Sequence, residues 1–347
     1  MMRWLAWILA LLVAIGVAAG ATAYLIYSHT QEAYQGFPGL ETFVEIPPGT
    51  GPIGIGERLV AAGVVRDVLT FRAAVFMSGR ARELKAGEYR FDHPLTANEV
   101  VTRLVRGDVY KRLITFREGL TIADMAQVFE EKGFGTAKAF VAAAANFSLI
   151  HDLDPAARDL EGYLFPETYA LPRGTPAADL VAQMVEAFRR AFSAPLRAAA
   201  EQAGLPVRQA VTLAALVEKE TASPGERPLV AAVYLNRLKA HMPMQADPTV
   251  VYAMMKAGRY RGNISREDLQ IDSPYNTYRY PGLPPGPIAA PGLASLQAVA
   301  NPAAVEYLYF VSKNDGTHAF AETLAEHNRN VFTWQVEYFR RQRQPRH

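Results

Sequence analysis

The longest hydrophobic stretch of the chain lies at its N-terminus. Residues 4–27 include no charged side chain, and as a helix rising about 1.5 Å per residue they would extend roughly 36 Å. That length is enough to cross a hydrocarbon core of about 30 Å. Arg3 and the terminal amine favour a cytoplasmic N-terminus, and aromatic residues flank both ends of the stretch. The pattern predicts a single membrane-spanning helix, with the body of the chain on the outer side.

A cleaved signal peptide is the alternative interpretation of this stretch. Ala21-Thr22-Ala23 resembles a small-residue cleavage site, although the apolar run is longer than the usual signal core of about 7 to 15 residues. The polar residues 28–39, with Pro38 and two glycines, are typical of a linker. We expect the first folded module to begin at residue 40.

After the linker, two segments show the same order of patterns. Residues 43–46 alternate as a strand does, and 53–63 have helical spacing; about seventy residues later, 113–116 and 121–133 repeat that order. Thr121 and Asp124 are spaced to cap the second helix. The repetition predicts a duplicated strand-turn-helix unit.

Between the two copies, the pattern predicts helices at 68–78 and 96–106 and a strand at 84–91. We expect a small α+β module over residues 40–147. Tyr89 and Phe91 are its candidates for stacking on a carbohydrate, and the alternative is that they belong to the core. A spacer that only holds the next domain away from the membrane fits the pattern as well as a polymer-binding module does.

The pattern of hydrophobic and polar residues in the remainder of the chain predicts a larger mixed α/β domain over residues 148–336. Helical periodicity covers 176–203 and 207–219, a strand is expected at 307–311, and the intervening loops are rich in polar and aromatic residues. The last residues, 337–347, form a basic tail that we interpret as a solvated end.

Composition and charge exclude several classes of protein. Half of the 347 residues are hydrophobic, 20% are charged, and the formal net charge is +2. A chain of this composition has enough hydrophobic residues to form folded domains with hydrophobic cores. It lacks the broad positive electrostatic field of a protein that binds nucleic acid without sequence preference, so no nucleic-acid partner is expected. The absence of cysteine excludes disulfides, thiolate metal sites and a cysteine nucleophile.

The end of the helix predicted at 207–219 has two glutamates. Successive helical residues turn by about 100°, so Glu218 and Glu220 should point about 200° apart and cannot face one cleft. An acid at the end of an apolar helix can be desolvated, and its pKa is then raised towards that of a proton donor at neutral pH. The alternative for Glu218 is an ordinary helix-end acid paired with Lys219 or Arg227.

Polar loops follow this helix, with amides, hydroxyls and phenols rather than runs of charge. This is the chemistry that a sugar polymer requires of its binding site. His318 either orients a substrate or hydrogen-bonds its own turn. The candidate substrate-binding residues are Gln245, Asp247, Thr249, Ser273, Tyr275, Asn276, Thr277, Tyr278 and His318.

Signatures of metal and cofactor sites are missing from the sequence. There is no HExxH pair, no phosphate-binding Walker loop, no strand-linked GxGxxG and no GxSxG nucleophile elbow. We therefore expect neither a metal nor a cofactor.

Six short motifs occur in order within about seventy residues, and together they resemble the MltG (YceG-like) family of endolytic murein transglycosylases. The motifs occupy residues 217–221, 226–228, 236–238, 245–249, 273–278 and 282–286. The resemblance extends more loosely from residue 40 to residue 331. It implies a LysM-like module at 40–147 and a catalytic domain at 148–336 with a lysozyme-like helical cleft. In the family the first glutamate of the Val-Glu-Lys-Glu-Thr stretch is taken as the acid, which here is Glu218, with Glu220 as the secondary candidate.

The resemblance also implies a reaction and a location. The family cleaves the β-1,4 bond between N-acetylmuramic acid and N-acetylglucosamine and leaves a 1,6-anhydro end, so the expected substrate is the glycan strand of peptidoglycan. The resemblance further implies a location in the inner (plasma) membrane, with the body periplasmic or extracytoplasmic. The expected partners are penicillin-binding proteins and other wall-synthesis or division proteins. Pro243-Met244-Gln245-Ala246 departs from the family pattern on either side of Gln245. A non-catalytic scaffold that binds peptidoglycan is the alternative from another functional class.

Overall fold

The structure is a computed structural model that describes residues 2–343, without the side chains of residues 2, 3, 5, 6 and 341–343. The side chain of Arg3, in the predicted cytoplasmic stub, and residues 344–347 of the predicted basic tail therefore lie outside the described part. The fold is mixed α+β, as predicted, with one long apolar helix at the N-terminus.

The helices are α1 (Met2–Gln31), α2 (Pro52–Ala61), α3 (Val68–Ser78), α4 (Ala97–Arg106), α5 (Ile122–Glu131), α6 (Ala137–Ala144), α7 (Ala177–Ala191), α8 (Ala194–Gln202), α9 (Val207–Glu220), α10 (Arg227–Lys239), α11 (Asp247–Lys256), α12 (Leu293–Ala300), α13 (Leu324–Val331) and α14 (Tyr338–Arg343). A π-helical segment, Phe332–Glu337, joins the last two. The strands are β1 (Thr42–Ile46), β2 (Gly87–Phe91), β3 (Lys111–Thr115), β4 (Thr168–Pro172), β5 (Tyr309–Ser312) and β6 (His318–Ala321). In the described part they form two-stranded sheets, β1 with β2, β3 with β4 and β5 with β6.

The long helix α1 is apolar and exposed along most of its length. Its segment Trp7–Gln31 is long and apolar enough to cross a membrane, and none of its residues up to Leu25 is buried. This agrees with the anchor that the uncharged run predicts, because an exposed apolar surface of this length needs a hydrophobic environment.

The chain divides into two compact units. Unit 1 extends to Arg112 and includes Ala170–Arg173, whereas unit 2 comprises Leu113–Tyr169 and continues from Gly174. The predicted module 40–147 therefore spans both units, since its second strand-turn-helix copy belongs to the larger one. The domain boundaries drawn from the sequence stay predictions.

Unit 1 is built around the antiparallel pair β1 and β2, in which Val44 lies opposite Tyr89. Helices α2, α3 and α4 enclose a core with the strands. Tyr89 and Phe91 are fully buried there, and the Tyr89 hydroxyl donates to the Lys85 carbonyl at 2.8 Å. Both rings are therefore core residues and are not available to stack on a carbohydrate.

Unit 2 surrounds helix α9. The consecutive residues Ala210–Val217 are all buried, because α8, α10, α11 and α12 pack around that helix. The predicted cap of α5 is confirmed: the Thr121 hydroxyl accepts from the Asp124 N–H at 3.2 Å, and the Asp124 carboxylate accepts from the Thr121 N–H at 2.9 Å.

One predicted helix is two helices in the structure. The pattern predicts a single helix over 176–203, but α7 ends at Ala191 and α8 begins at Ala194. Ser193 has an extended backbone, with φ −62° and ψ 163°, and Pro195 occupies the first turn of α8. Proline lacks the N–H that a continuous helix needs and its ring clashes with the preceding turn, so it is accommodated in the first turn of a new helix and not in the interior of one long helix.

Candidate active site

The C-terminal turn of α9 presents both glutamates at the edge of the core of unit 2. The buried residues up to Val217 fix the helix, and Thr221 ends it with an extended backbone, φ −138° and ψ 132°. Glu218 and Glu220 have different hydrogen-bond partners, but both line one cleft. The prediction from their 200° separation that they cannot face one cleft is therefore wrong, because the cleft lies at the end of the helix and its lining continues through residues 218–222.

Glu218 is held on every side by hydrogen-bond donors. Its Oε1 accepts from Arg227 Nη2 at 2.9 Å, and its Oε2 accepts from the Gly292 N–H at 2.9 Å and from Ser295 Oγ at 2.7 Å. Only 5% of the side chain is exposed. Three donors, one of them a cation, stabilise the negative charge of a carboxylate.

A second acid lies against this group. Glu118 Oε2 is 3.5 Å from Arg227 Nη2, and burial, together with the charge of Glu218, raises the pKa of Glu118. A Cβ at position 292 would lie 1.8 Å from Glu118 Oε1. Any side chain at position 292 would therefore displace the Glu118 carboxyl group, while the Gly292 N–H binds Glu218.

Glu220 has a different environment. Its Oε1 accepts one hydrogen bond, from the Tyr234 hydroxyl at 2.7 Å. Burial raises the pKa of Glu220 to about 7, and the negative charge of Asp247 adds to this, while the Tyr234 hydrogen bond and the positive charges nearby oppose it. A carboxyl with this pKa is protonated in a large fraction of molecules at neutral pH, as a general acid must be.

Glu220 lines two cavities of unit 2. One is a cleft of about 690 Å³ that also contains Glu118, Glu218 and Arg227. The other is a pocket of about 260 Å³, which we call the Gln245 pocket; its lining is Glu220, Tyr234, Arg237, Met244, Gln245, Asp247, Tyr278, Phe310 and His327. Three predicted substrate-binding residues, Gln245, Asp247 and Tyr278, thus lie with Glu220 in one pocket.

Hydrogen bonds from other segments hold the loop that contains Gln245 in place. Gln245 has φ +50°, a conformation that is uncommon for a residue with a Cβ. Arg237 Nη1 donates to the Met244 carbonyl at 2.8 Å, and the Gln245 N–H donates to the Thr277 carbonyl at 3.3 Å. On the opposite side the Tyr278 hydroxyl donates to Asp247 Oδ1 at 2.6 Å.

His318 is bound to a motif residue and is not part of the pocket lining. Its Nδ1 lies 2.8 Å from Glu226 Oε2, and its N–H donates to Glu226 Oε1 at 2.8 Å. A positive charge on His318 would be close enough to lower the pKa of Glu220. Of the two roles considered for His318, the contacts are those of a residue bound to a neighbouring helix end.

The other predicted residues lie away from Glu220. Thr249, Asn276 and Thr277 are buried; the Asn276 amide donates to the carbonyls of Leu269 and Ile271, both at 2.9 Å. The two threonine hydroxyls bond to each other at 2.9 Å. These three side chains hold the loops together from inside.

Ser273 and Tyr275 are also outside the Gln245 pocket. Ser273 Oγ accepts from the Tyr275 N–H at 3.3 Å. Tyr275 lines a separate cavity of about 560 Å³ with Arg208 and Lys256 among its neighbours. Sequence neighbours in this loop therefore face different parts of the unit.

Five residues of the pocket lining were not among the site candidates, namely Tyr234, Arg237, Met244, Phe310 and His327. Tyr234 supplies the hydrogen bond to Glu220, and Arg237 binds the segment before Gln245. The Asn236-Arg237-Leu238 motif was a signal for Arg237, whereas Tyr234 has the pattern of an ordinary core residue of α10. Within residues 2–343, no group of three or more His, Asp or Glu side chains could hold a metal ion.

The family model that matches the chain is described as the YceG-like family, and it covers residues 44–333. The chain belongs to the YceG-like family. The match includes Glu218, Glu220 and the whole Gln245 pocket, so the site just described lies within the family's own region.

Characterised relatives agree with this membership. The endolytic murein transglycosylase of Bacillus subtilis is 32% identical over 302 residues, which are 82% of this chain and 82% of that protein. The protein of that name from Streptococcus pneumoniae is 33% identical over 320 residues, and the match spans 57% of its length. The crystal structure of a yceG-like protein from Listeria monocytogenes is 28% identical, with a TM-score of 0.58 over 84% of this chain and 98% of that one.

Proposed function

We propose that this YceG-like chain is a membrane-anchored endolytic lytic transglycosylase of peptidoglycan. Family membership and the activity for which relatives about one third identical are named support the enzyme class and the wall polymer as substrate. The observation that carries the proposal is the position of Glu220, which lines both the cleft and the Gln245 pocket and accepts one hydrogen bond, from Tyr234, while its pKa is raised to about 7.

Glu220 is our assignment for the proton-transfer residue, in place of Glu218, which the sequence resemblance favoured. Glu218 already accepts three hydrogen bonds, including one from Arg227, which occupy three of the roughly four acceptor positions of its carboxylate. Glu220 accepts a single bond and lines two cavities. We assign Glu218 to holding Arg227 and the N-terminus of α12 against the end of α9.

One carboxyl is sufficient for the reaction. Protonated Glu220 gives its proton to the glycosidic oxygen as the bond from that oxygen to C1 of N-acetylmuramic acid breaks. The resulting carboxylate then takes the proton of the C6 hydroxyl of the same sugar, whose oxygen bonds to C1 and closes the 1,6-anhydro ring. Because the nucleophile belongs to the substrate, the second carboxylate of ordinary glycosidases is not needed.

The rest of the Gln245 pocket positions the sugar and tunes the acid. Ring closure from C6 to C1 requires a bent sugar ring, which hydrogen bonds from Gln245 and Tyr278 hold. The charge of Asp247 raises the pKa of Glu220 and so keeps a proton on it. Thr249, Asn276 and Thr277 support this loop from the interior.

The finer architecture follows from the same proposal. Residues 40–147 act as a LysM-like module that grips or spaces the glycan, and residues 148–336 act as a catalytic domain with a lysozyme-like cleft. Helix α1 anchors the chain in the inner membrane with both parts outside the cytoplasm. There the enzyme cuts nascent strands and terminates them, in the company of wall-synthesis proteins such as penicillin-binding proteins.

Mass spectrometry of muropeptides tests the proposal directly. The full chain in detergent is incubated with sacculi, with Glu220→Gln as the control. Products ending in 1,6-anhydro-N-acetylmuramic acid support the transglycosylase, and reducing ends would mean a hydrolase. Absence of any product would favour the non-catalytic scaffold.

A further inference from the structure

Helix α3 of unit 1 has an apolar face that nothing in the described chain covers. Its inner face, with Phe71, Ala74 and Val75, is buried in the core. On the other side Phe76 is 87% exposed, Leu69 55% and Met77 46%. A helix that is apolar on both faces normally lies inside a protein or against lipid.

The neighbouring helix α4 shows what an ordinary surface helix of this unit looks like. It buries Val100, Val101 and Leu104 and exposes Glu99 and Thr102 on the outside. The outer face of α3 therefore differs from that of its neighbour α4, although single exposed apolar residues such as Ile53 occur elsewhere in the unit. We call Leu69, Arg72, Phe76 and Met77 the outer face of α3.

The outer face includes a cation placed among its apolar side chains. Leu69, Arg72 and Phe76 are spaced by three and four residues, so they lie on one side of the helix, and Arg72 is exposed there. Apolar side chains interleaved with arginine are characteristic of helices that lie in the interface of a bilayer, where the apolar groups enter the acyl boundary and the cations meet anionic headgroups.

The start of α3 is fixed beside the end of α1. Arg66 Nη2 is 2.8 Å from Glu32 Oε2, and its guanidinium stacks over the Tyr34 ring at 5.6 Å from the centroid. Thr30 of α1 is buried, and α3 and α4 are the helices that pack against α1. Helix α3 therefore begins within a turn or two of the point where α1 leaves its exposed apolar stretch.

The dimensions of a bilayer match this position. The headgroup layer on each side of the hydrocarbon core is about 5 to 8 Å thick, which is the rise of about four or five helical residues. The uncharged run ends at Tyr27, and α1 continues to Gln31. The last turn of α1 and the helix packed on it thus fall at the level of the headgroups.

We propose that the outer face of α3 binds the surface of the phospholipid bilayer that α1 crosses, with Phe76 in the acyl boundary and Arg72 at anionic headgroups. The inference rests on the anchoring part of the proposed function and is independent of catalysis. A helix lying on the membrane limits the tilt of unit 1 about the end of α1, which a single spanning helix cannot do.

The test uses spin labels on the full chain, which has no native cysteine. Phe76→Cys is labelled and reconstituted in vesicles containing phosphatidylglycerol, and Ile53→Cys, an exposed apolar position on α2 of the same unit, is the matched control. Collision with oxygen, which concentrates in lipid, is compared with collision with a water-soluble nickel chelate. We expect severalfold greater relative oxygen access at Phe76 than at Ile53. Equal nickel access at the two sites would overturn the proposal.

Three further measurements separate the remaining outcomes. Flotation of the vesicles reports on the anchor alone, so a chain that fails to float contradicts the anchor and, with it, the proposal. Dipolar broadening between labels at position 76 would show that a second copy of the chain covers the outer face of α3, and this result would also overturn the proposal.

Arg72→Glu should reduce the access of oxygen relative to nickel at position 76, and the reduction should be larger in phosphatidylglycerol vesicles than in phosphatidylcholine vesicles. The Glu220→Gln background should give the same values, because catalysis is not involved.

Discussion

The two glutamates at the end of α9 have different surroundings. Glu218 is surrounded by an arginine, a backbone N–H and a serine hydroxyl. Glu220 keeps part of its surface exposed where it lines two cavities, lies within range of the charge of Asp247, and accepts one phenolic hydrogen bond. Only Glu218 receives several donors.

This difference shows that burial alone does not make a carboxyl a proton donor. Desolvation disfavours the charged form, and hydrogen bonds from cations and N–H groups restore it. At Glu218 three donors hold the carboxyl group in place, and in our proposal the group serves structure. At Glu220 desolvation prevails, and the group is suited to transfer a proton.

The largest expected effect is that of Glu220→Gln. The amide keeps the volume and can still accept from Tyr234, but it has no proton to transfer. We expect turnover on sacculi to fall by about a hundredfold to ten-thousandfold, the usual contribution of general acid-base catalysis, with an unchanged circular dichroism spectrum. An active Glu220→Gln enzyme would remove the basis of the comparison.

Glu218→Gln should act mainly on stability. The substitution removes the charge that faces Arg227, whose Nε has no hydrogen-bond partner. We expect the free energy of unfolding to fall by about 1.5 to 3 kcal/mol, the range for hydrogen bonds to charged groups, as measured by urea titration. Turnover per folded molecule should fall far less than in Glu220→Gln. If the two variants lost turnover equally while folded, the assignment of one acid would be wrong.

Asp247→Asn tests the role of Glu220 through the pH dependence of activity. The negative charge of Asp247 raises the pKa of Glu220, so its removal should lower that pKa. A general acid acts while protonated, and activity is lost as the pH rises through its pKa. The alkaline limb of kcat/KM should therefore move to lower pH, and a profile that moves upward would contradict the proposed role of Asp247.

Tyr234→Phe should move the same limb in the opposite direction. The Tyr234 hydroxyl stabilises the ionised form of Glu220 and lowers its pKa. Without it the pKa should rise, and activity should persist to higher pH, with a loss of stability of about 1 kcal/mol for the hydrogen bond. A purely structural role would change stability and leave the pH profile in place.

The smallest effect concerns Gln245. Gln245→Ala removes the amide and keeps the strained backbone at φ +50°, whereas Gln245→Gly removes the same amide and relieves that strain. If the amide holds the bent sugar, both variants should lose turnover similarly while binding sacculi almost as well as the parent chain. A loss confined to the alanine variant would assign the effect to loop geometry.

Much of the local structure was determined by the sequence. The helix expected at 68–78 has those bounds as α3, the Thr121 cap forms as its spacing requires, and the uncharged run becomes α1. The 100° turn per residue gives Glu218 and Glu220 different hydrogen-bond partners, although both line one cleft. These features depend on residues within about four positions of each other, and local geometry suffices to predict them.

The tertiary structure decided which glutamate has the environment of an acid. The donors to Glu218 include Gly292 and Ser295, more than seventy positions away, and Gln245 and Asp247 reach Glu220 only because α10 and α11 pack beside α9. Asn276 and Tyr275 are adjacent in sequence, yet one is buried and the other lines a different cavity. A pKa depends on burial and on charges brought together by packing, and neither can be read from the order of residues along the chain.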